Sequence, residues 1–148
     1  MKTIENNIYD IASDFAIRIV NLYKYLTDEK HEYVMSKQIL RSGTSIGANS
    51  FEGKNAQSRA DFCNKMSIAL KEAGETGFWL DIIHKSKYID DSQFESLYAD
   101  WNRIYAVLIK IVKTTKNIKS LVVYETVWLS QQQIADLFAK KAREWFHV

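Results

Sequence analysis

The sequence of 148 residues contains no proline and only five glycines. Proline breaks helix interiors and glycine weakens them, so their scarcity favours long helices joined by short connections. Cysteine is also scarce, since Cys63 is the only one. A single cysteine excludes an internal disulfide and indicates a reducing compartment, in which Cys63 is expected to be a small residue beside the core.

Long apolar runs and a strong charge excess are missing as well. No apolar stretch approaches the roughly 20 residues that cross a bilayer, and no apolar run behind basic residues suggests a secretory signal. We therefore expect a cytoplasmic protein with no membrane partner. The formal net charge is +2 and the pI is near 8.5. This is a weaker basic excess than proteins built around phosphate contacts usually carry.

What the sequence does contain is helical periodicity, with apolar residues recurring at three- and four-residue steps. This pattern predicts a first helix over about 4–26 and a second over about 32–52. Gly43 and Gly47 lie four residues apart on one face of the second helix and indicate close approach of a neighbouring helix or subunit. The residues expected to face the core are Ile8, Ile11, Phe15, Ile19, Leu22 and Leu26 on the first helix, and Met35, Ile39, Ser42, Ile46 and Asn49 on the second.

Two capping boxes mark the starts of two further helices. Ser58 with Asp61 begins the third helix, and a cap near Asp91 or Ser92, completed by Glu95, begins the fourth. Four helices of similar length with short loops predict an all-α fold, an antiparallel up-down-up-down four-helix bundle. The expected inward residues are Phe62, Met66, Ala69, Ala73, Thr76, Leu80 and Ile83 on the third helix, and Phe94, Leu97, Trp101, Ile104, Leu108 and Ile111 on the fourth.

The most distinctive stretch is 38–80, which carries polar residues on or beside an apolar face where a simple core would hold leucine and isoleucine. It resembles the bacterial four-helix-bundle family encoded in intervening sequences of large-subunit ribosomal RNA genes. With weaker similarity, the resemblance extends over roughly 5–117. The residues that carry it are Gln38-Ile39, Arg41-Ser42, Ser45-Ile46, Ala48-Asn49, Glu52-Gly53, Ala56-Gln57-Ser58, Asp61-Phe62, Lys65, Ile68-Ala69-Leu70-Lys71-Glu72-Ala73, Glu75-Thr76 and Trp79-Leu80.

This resemblance implies a fold and an assembly rather than an activity. The accessory variability determinant of diversity-generating retroelements shares the fold, and family members form ring-shaped homopentamers. By analogy, RNA, DNA or a reverse transcriptase-like protein are the expected partners. The family's cellular role is largely unassigned, and its retroelement members are distinctly basic, whereas this chain is not.

After residue 117 the periodicity changes. We expect 1–117 to form the bundle and 118–148 to form a short α/β appendage. The run Glu125-Thr126-Val127-Trp128-Leu129-Ser130-Gln131, together with Ala135-Asp136-Leu137-Phe138, resembles the start of the RhuM-type virulence-protein family, where it begins a helix-turn-helix-like region. Because the resemblance stops there, the appendage is expected to be a truncated fragment rather than a complete DNA-reading unit.

A structural polar network is expected between the second and third helices. If these helices run antiparallel from a turn near 53–57, Arg41 lies level with Glu72 and Glu75. Arg41 would then make a forked contact with one of these carboxylates and fix the helix register. A polar groove that binds a ligand is the alternative. The network is completed near the turn by Asn49, Glu52 and Lys65.

A basic strip is expected at the end of the fourth helix, where lysines recur every three residues. One interpretation is a solvated face whose charges suit the negative end of the helix dipole. The other is contact with the phosphates of RNA or DNA, which an oligomer would multiply into a ring. The strip consists of Lys110, Lys113, Lys116 and Lys119.

No pattern indicates catalysis. The three histidines lack metal-ligand spacing, and no phosphate loop or nucleophile elbow is present, so no catalytic residue, metal or cofactor is expected. The first hypothesis is a non-enzymatic oligomeric scaffold that engages nucleic acid or a nucleic-acid-processing protein. The second is a protein-interaction module without nucleic-acid contact, and an exposed apolar patch would favour it. The third is a small-molecule or catalytic site in the bundle core, and a pocket with shifted carboxylate pKa values would favour it.

Overall fold

The computed structural model describes residues 2–116, with side chains from residue 8 onward. The predicted appendage and Lys119 lie outside these residues. Within them the chain forms four helices and no strand, so the all-α prediction is confirmed for this part of the chain. The helices are α1 (Lys2–Asp28), α2 (Met35–Lys54), α3 (Arg59–Lys85) and α4 (Asp91–Lys116).

The four helices form a bundle in which each helix packs against its neighbours in the chain and α4 returns to α1. The direction of each helix follows from which residues meet. Gly43 lies against Ile19 and Gly47 against Ala12, so α1 and α2 run antiparallel. The same opposite progression relates α2 to α3, α3 to α4, and α4 to α1, as expected when short connections join helices of similar length.

The predicted apolar stripes of α3 and α4 form much of the core. Of the thirteen residues expected to face inward, only Phe62 and Phe94 are partly rather than fully buried. The sequence pattern did not identify Tyr105 and Val112, which are also buried because α4 lies against both α3 and α1. On α1, Ile11 is partly buried and packs against the core, and Ala12, which the pattern did not identify, is fully buried.

The buried face of α2 differs from the prediction at both ends. Ile39, Ser42 and Ile46 are buried as expected, but Met35 and Asn49 are only partly buried. The positions next to them along the chain, Ser36 and Ser50, are buried instead. The reason is that α2 is covered by α1 on one side and α3 on the other, and this double contact selects small residues. The buried face is made of Ser36, Ile39, Ser42, Gly43, Ile46, Gly47, Ser50 and Gly53.

The start of α2 also differs from the prediction, which placed it near residue 32. Helix α2 begins at Met35, because the Glu32 carboxylate accepts backbone N–H groups of Val34, Met35 and Ser36 at 2.9, 2.9 and 2.7 Å. Burial alone would raise the pKa of Glu32, but these three N–H donors outweigh it and the pKa lies below its usual value. The Glu32 side chain thus supplies the N-terminal cap that the helix backbone needs.

The predicted cap of α3 is present, whereas the capping box of α4 consists of residues other than those predicted. The hydroxyl of Ser58 accepts the backbone N–H of Asp61, which confirms the cap of α3. The capping box of α4 is formed by Asp90 and Gln93, whose side chains each accept the other's backbone N–H at 2.7 and 2.9 Å. The predicted start near Asp91 or Ser92 is confirmed, because α4 begins at Asp91. The predicted completion of the box by Glu95 was wrong, because Gln93 closes the box two residues earlier.

Trp101 is the largest fully buried side chain and determines how closely α3 and α4 approach. Its indole N–H donates to the backbone oxygen of Ala73 at 2.7 Å. A Cβ atom on Gly77 would lie 2.5 Å from the Trp101 ring, well inside van der Waals contact. Glycine is therefore required at position 77 because the indole ring lies directly on the backbone of α3.

Candidate functional site

Arg41 lies between two carboxylates of α3. Its guanidinium donates one hydrogen bond to Glu72 at 3.2 Å and another, shorter one to Glu75. The Glu75 carboxylate also accepts the indole N–H of Trp79 at 3.3 Å. From the sequence, Arg41 was expected to make a forked contact with one carboxylate, whereas its guanidinium bridges both, which lie one helical turn apart.

The electrostatics of this cluster follow from the same contacts. The hydrogen bond from Arg41 lowers the pKa of Glu75, with burial acting in the opposite direction. Reciprocally, the Glu75 hydrogen bond raises the pKa of Arg41. The Arg41 side chain is 50% exposed and that of Glu75 36% exposed. Solvent therefore screens the pair, and its main effect is to set how α2 and α3 align rather than to add much stability.

The other predicted members of the polar network do not join Arg41. Lys65 pairs with Glu52 at 2.6 Å, nearer to the α2–α3 turn. The Asn49 amide donates to the backbone oxygen of Ser45 within its own helix, at 2.9 Å. The structure therefore contains two separate ion-pair groups along the α2–α3 seam, at the two levels that the antiparallel geometry predicted.

A buried hydrogen bond joins the same two helices. The Thr76 hydroxyl contacts the Ser42 hydroxyl at 3.0 Å and also donates to the backbone oxygen of Glu72 at 2.7 Å. Ser42 and Thr76 are both fully buried. Because small hydroxyls replace large apolar groups here, the helix backbones can approach closely and their polar atoms remain satisfied.

The two glycines that suggested a close-approach face pack inside the chain. A Cβ atom on Gly43 would lie 2.8 Å from the Ile19 side chain, and one on Gly47 would lie 3.5 Å from the Ala12 carbonyl oxygen. Their partner is thus α1 of the same bundle. Gly43 and Gly47 therefore lend no support to an interface between subunits.

The described part of the lysine strip runs diagonally over the end of α4. Lys110 is partly buried, while Lys113 and Lys116 are exposed. Three residues turn the helix by about 300°, which is about 60° less than a full turn. Each lysine is therefore displaced around the helix axis relative to the lysine before it. The three do not form one flat row. Lys113 and Lys116 occupy the last turn, where the helix dipole favours cations.

Charge is distributed unevenly along the bundle. We define the basic half as residues 8–15, 45–71 and 104–116, which surround the α2–α3 turn and the end of α4. We define the acidic half as residues 16–44 and 72–103, at the opposite end, where ten carboxylates face eight cations. The basic half holds Lys54, Arg59, Lys65, Lys71, Lys110, Lys113 and Lys116 against Asp10, Asp14, Glu52 and Asp61.

The basic half contains an aromatic cluster that was not predicted from the sequence. It consists of Tyr9, Phe51 and Lys54. The rings of Tyr9 and Phe51 have centroids 5.8 Å apart, and the Lys54 ammonium lies 5.3 Å from the Tyr9 centroid. Phe51 remains 45% exposed. The sequence did contain one indication of this cluster. Phe51 lies outside the predicted inward stripe of α2, and a large aromatic residue at such a position is not explained by core packing.

A groove of about 450 Å³ opens between α1 and α4 in the acidic half. At its edge Arg18 pairs with Asp100 at 2.7 Å and bonds the Ser96 hydroxyl at 2.8 Å. No aspartate or glutamate lines the groove, and the two carboxylates with lowered pKa, Glu32 and Glu75, are not among its residues. The lining residues are Arg18, Asn21, Leu22, Tyr25, Ile89, Ser92, Gln93, Ser96 and Leu97.

The described residues contain neither a candidate metal site nor a membrane-spanning helix. Between residues 8 and 116, no three His, Cys, Asp or Glu side chains come together as a metal would require. None of the described helices has the length and apolarity needed to span a bilayer.

Comparison with known proteins agrees with the fold. A family model described as 23S rRNA-intervening sequence protein matches residues 5–110. A crystal structure of a protein of unknown function from Bacteroides thetaiotaomicron, assigned to the S23 ribosomal protein family, is 55% identical in sequence with a TM-score of 0.73. The match covers 74% of this chain and 98% of that one. No curated protein matches the chain.

Proposed function

Because the chain belongs to the 23S rRNA-intervening sequence protein family, we propose that it is a non-enzymatic oligomeric scaffold of the cytoplasm whose basic half contacts the phosphates of RNA or DNA. The observation that carries this proposal is the position of Arg59. This exposed residue is the first of α3, next to the α2–α3 turn.

The helix dipole separates Arg59 from three lysines of the basic half. Lys54, Lys113 and Lys116 lie in the last turns of α2 and α4, where a positive charge stabilises the helix. Arg59 lies at a helix N-terminus, where a positive charge is unfavourable. Helix stability therefore accounts for the three lysines but not for Arg59, and an anionic ligand accounts for all four.

Binding through these cations is expected to be weak in each subunit and largely independent of sequence. Lysine and arginine contacts with phosphates fix position but read no base. They also displace counterions from the nucleic acid, so the affinity should fall steeply as salt is raised.

The test is the affinity of labelled RNA and DNA of several sequences, measured by fluorescence anisotropy over a range of salt concentrations. One variant combines Lys54→Gln with Arg59→Gln, and a second replaces Lys110, Lys113, Lys116 and Lys119 by Gln. Each should weaken binding evenly across sequences and flatten the salt dependence. The first should retain full thermal stability, because losing Arg59 relieves an unfavourable dipole contact and offsets the loss of Lys54.

The matched control combines Lys24→Gln with Lys37→Gln, which removes two exposed cations from the acidic half. It should leave the affinity close to that of the wild type. If the control weakens binding as much as the first variant, the attraction comes from net charge alone and the basic half is not a site. Unchanged affinity in both basic-half variants would contradict the proposal.

The assembly we propose is a homopentamer. The proposal of a pentamer rests on the family resemblance alone. Gly43 and Gly47 do not support it, because both pack against α1 of the same chain. Light scattering at micromolar concentration should give five times the chain mass of 17.2 kDa. A monomer mass that persists on concentration would contradict the assembly.

One observation favours a second function, binding of a protein such as a reverse transcriptase-like enzyme. The α1–α2 loop exposes Tyr33 by 55% and Val34 by 71%. The Glu32 carboxylate holds this loop through the backbone N–H of Val34, so the apolar pair is presented in a fixed conformation. Replacing Tyr33 and Val34 by Ser should abolish such binding and leave nucleic-acid affinity unchanged.

A further inference from the structure

We propose that the aromatic cluster of Tyr9, Phe51 and Lys54 stacks an unpaired base, so that the basic half binds single-stranded nucleic acid in preference to duplex. This inference rests on the proposed function and specifies its ligand class. It depends on the position, exposure and charged surroundings of one side chain, Phe51.

The Phe51 ring is only partly packed against the core. The buried face of α2 is made of small residues and two isoleucines, and Phe51 lies outside it. Its ring leans on Tyr9 with an interplanar angle of 50°. Tyr9 is 8% exposed and belongs to the core, whereas Phe51 is 45% exposed. The core thus supports one side of the Phe51 ring and leaves part of it open to solvent.

The cations needed for the phosphates accompany this ring. Lys54 lies three residues after Phe51, on the same face of α2, and its ammonium lies over the Tyr9 ring. Arg59 follows just beyond the turn. The nearest carboxylate on the helix, Glu52, is neutralised by Lys65 at 2.6 Å. An exposed aromatic ring next to basic side chains is the combination by which proteins hold single strands.

Stacking of a base on Phe51 favours single-stranded nucleic acid over a duplex. Bases within a duplex are already stacked on each other, and only unpaired bases can present a face to an aromatic side chain. Stacking is also tolerant of sequence, because every base has a π face. The cluster therefore adds a preference for strandedness to a surface whose phosphate contacts read no sequence.

Phe78 provides a matched control. It is 52% exposed, similar to Phe51, and it also contacts a neighbouring ring, that of Trp79, with centroids 5.0 Å apart. Phe78 lies in the acidic half, where no phosphate is expected. Phe51→Ala and Phe78→Ala thus remove equivalent apolar groups from surfaces of opposite charge.

The experiment compares the affinity of the full chain for labelled oligouridylate with its affinity for an RNA duplex of equal length, at one salt concentration. The wild type should prefer the single strand. Phe51→Ala should weaken single-strand binding by about tenfold and leave duplex binding nearly unchanged. Phe51→Tyr should restore the affinity, because tyrosine stacks as well, and Phe78→Ala should change neither value. Circular dichroism and light scattering establish that each variant keeps its fold and mass.

The outcomes separate this inference from the proposed function. If the wild type binds neither of these RNAs nor labelled DNA, the proposed function fails and this inference fails with it. If it binds both equally and Phe51→Ala matches Phe78→Ala, the phosphate site stands and the stacking site is overturned. A change of mass in Phe51→Ala would also overturn it, because Phe51 would then belong to a contact between copies of the chain.

Discussion

The α2–α3 and α1–α4 seams of this bundle are built in opposite ways. Helices α2 and α3 share the most extensive contact, and small buried residues such as Ser42 and Thr76 lie between them. Helices α1 and α4 share the least contact, and a groove of about 450 Å³ opens between them. Each seam carries one arginine that reaches across it, Arg41 in the first and Arg18 in the second.

The difference shows that small polar residues on a helix face can indicate tight packing rather than a binding site. Ser42 and Thr76 bond to each other, so their hydroxyls need no ligand. Larger residues, including Leu22, Tyr25 and Leu97, line the looser seam, where they hold the helices apart. The polar stretch that suggested a ligand groove between α2 and α3 is therefore the most closed part of the bundle, and the open groove lies on the other side.

The largest effect is expected from adding bulk to each seam. Ser42→Leu should lower the free energy of unfolding by about 3 kcal/mol, because the extra atoms have no space between α2 and α3 and the bond to Thr76 is lost. Ser92→Leu, the matched change in the α1–α4 groove, should alter it by less than about 0.5 kcal/mol. Urea denaturation followed by circular dichroism measures both. Equal costs would show that the two seams are packed alike.

Two glycines of α3, one tightly packed and one open, provide a similar contrast within a single helix. Gly77→Ala should destabilise the protein by about 1–2 kcal/mol, because its methyl group would collide with the rigid indole of Trp101. Gly74→Ala should stabilise it by about 0.5–1 kcal/mol, since nothing lies within 4 Å of that position and alanine is the better helix former. Thermal melts should shift in opposite directions. If Gly77→Ala stabilised the protein, the Trp101 ring could not lie directly on the backbone of α3.

The smallest effect is expected from the two arginines. Double-mutant cycles for Arg41 with Glu75 and for Arg18 with Asp100 should each give a coupling of about 0.5 kcal/mol, because both pairs are substantially exposed. The pKa of Glu75 is lowered in the folded state. The Arg41 coupling should therefore be present above the usual glutamate pKa and be lost as the pH falls through the lowered value. A coupling of several kcal/mol would mean that solvent does not reach the pair.

The sequence predicted secondary structure and packing best where the core is apolar. The stripes of α3 and α4 were found because large side chains mark the inward face clearly. The stripe of α2 failed at its ends, since serine and glycine carry no such mark and Asn49 was mistaken for an inward residue. The Glu32 cap was missed for another reason: its three backbone bonds require a loop conformation that residue spacing does not specify.

Candidate site residues were predicted less completely. The antiparallel geometry placed Arg41 beside Glu72 and Glu75 and Glu52 beside Lys65, because positions equally far from a turn lie level. The cluster of Tyr9 and Phe51 could not be found in this way. Its two rings are 42 positions apart in the chain and meet only because α1 packs against α2.

By itself, the sequence determined that residues 2–116 form four helices, where most of them begin and end, and to which family the chain belongs. These properties depend on local periodicity, capping residues and motifs, which are readable along the chain. The tertiary structure decided that Gly43 and Gly47 face α1, that Phe51 remains exposed beside Lys54, and that cations outnumber carboxylates by seven to four in one half of the bundle. These depend on which helix faces lie against each other, and that arrangement minimises the free energy of the whole bundle rather than of any one segment.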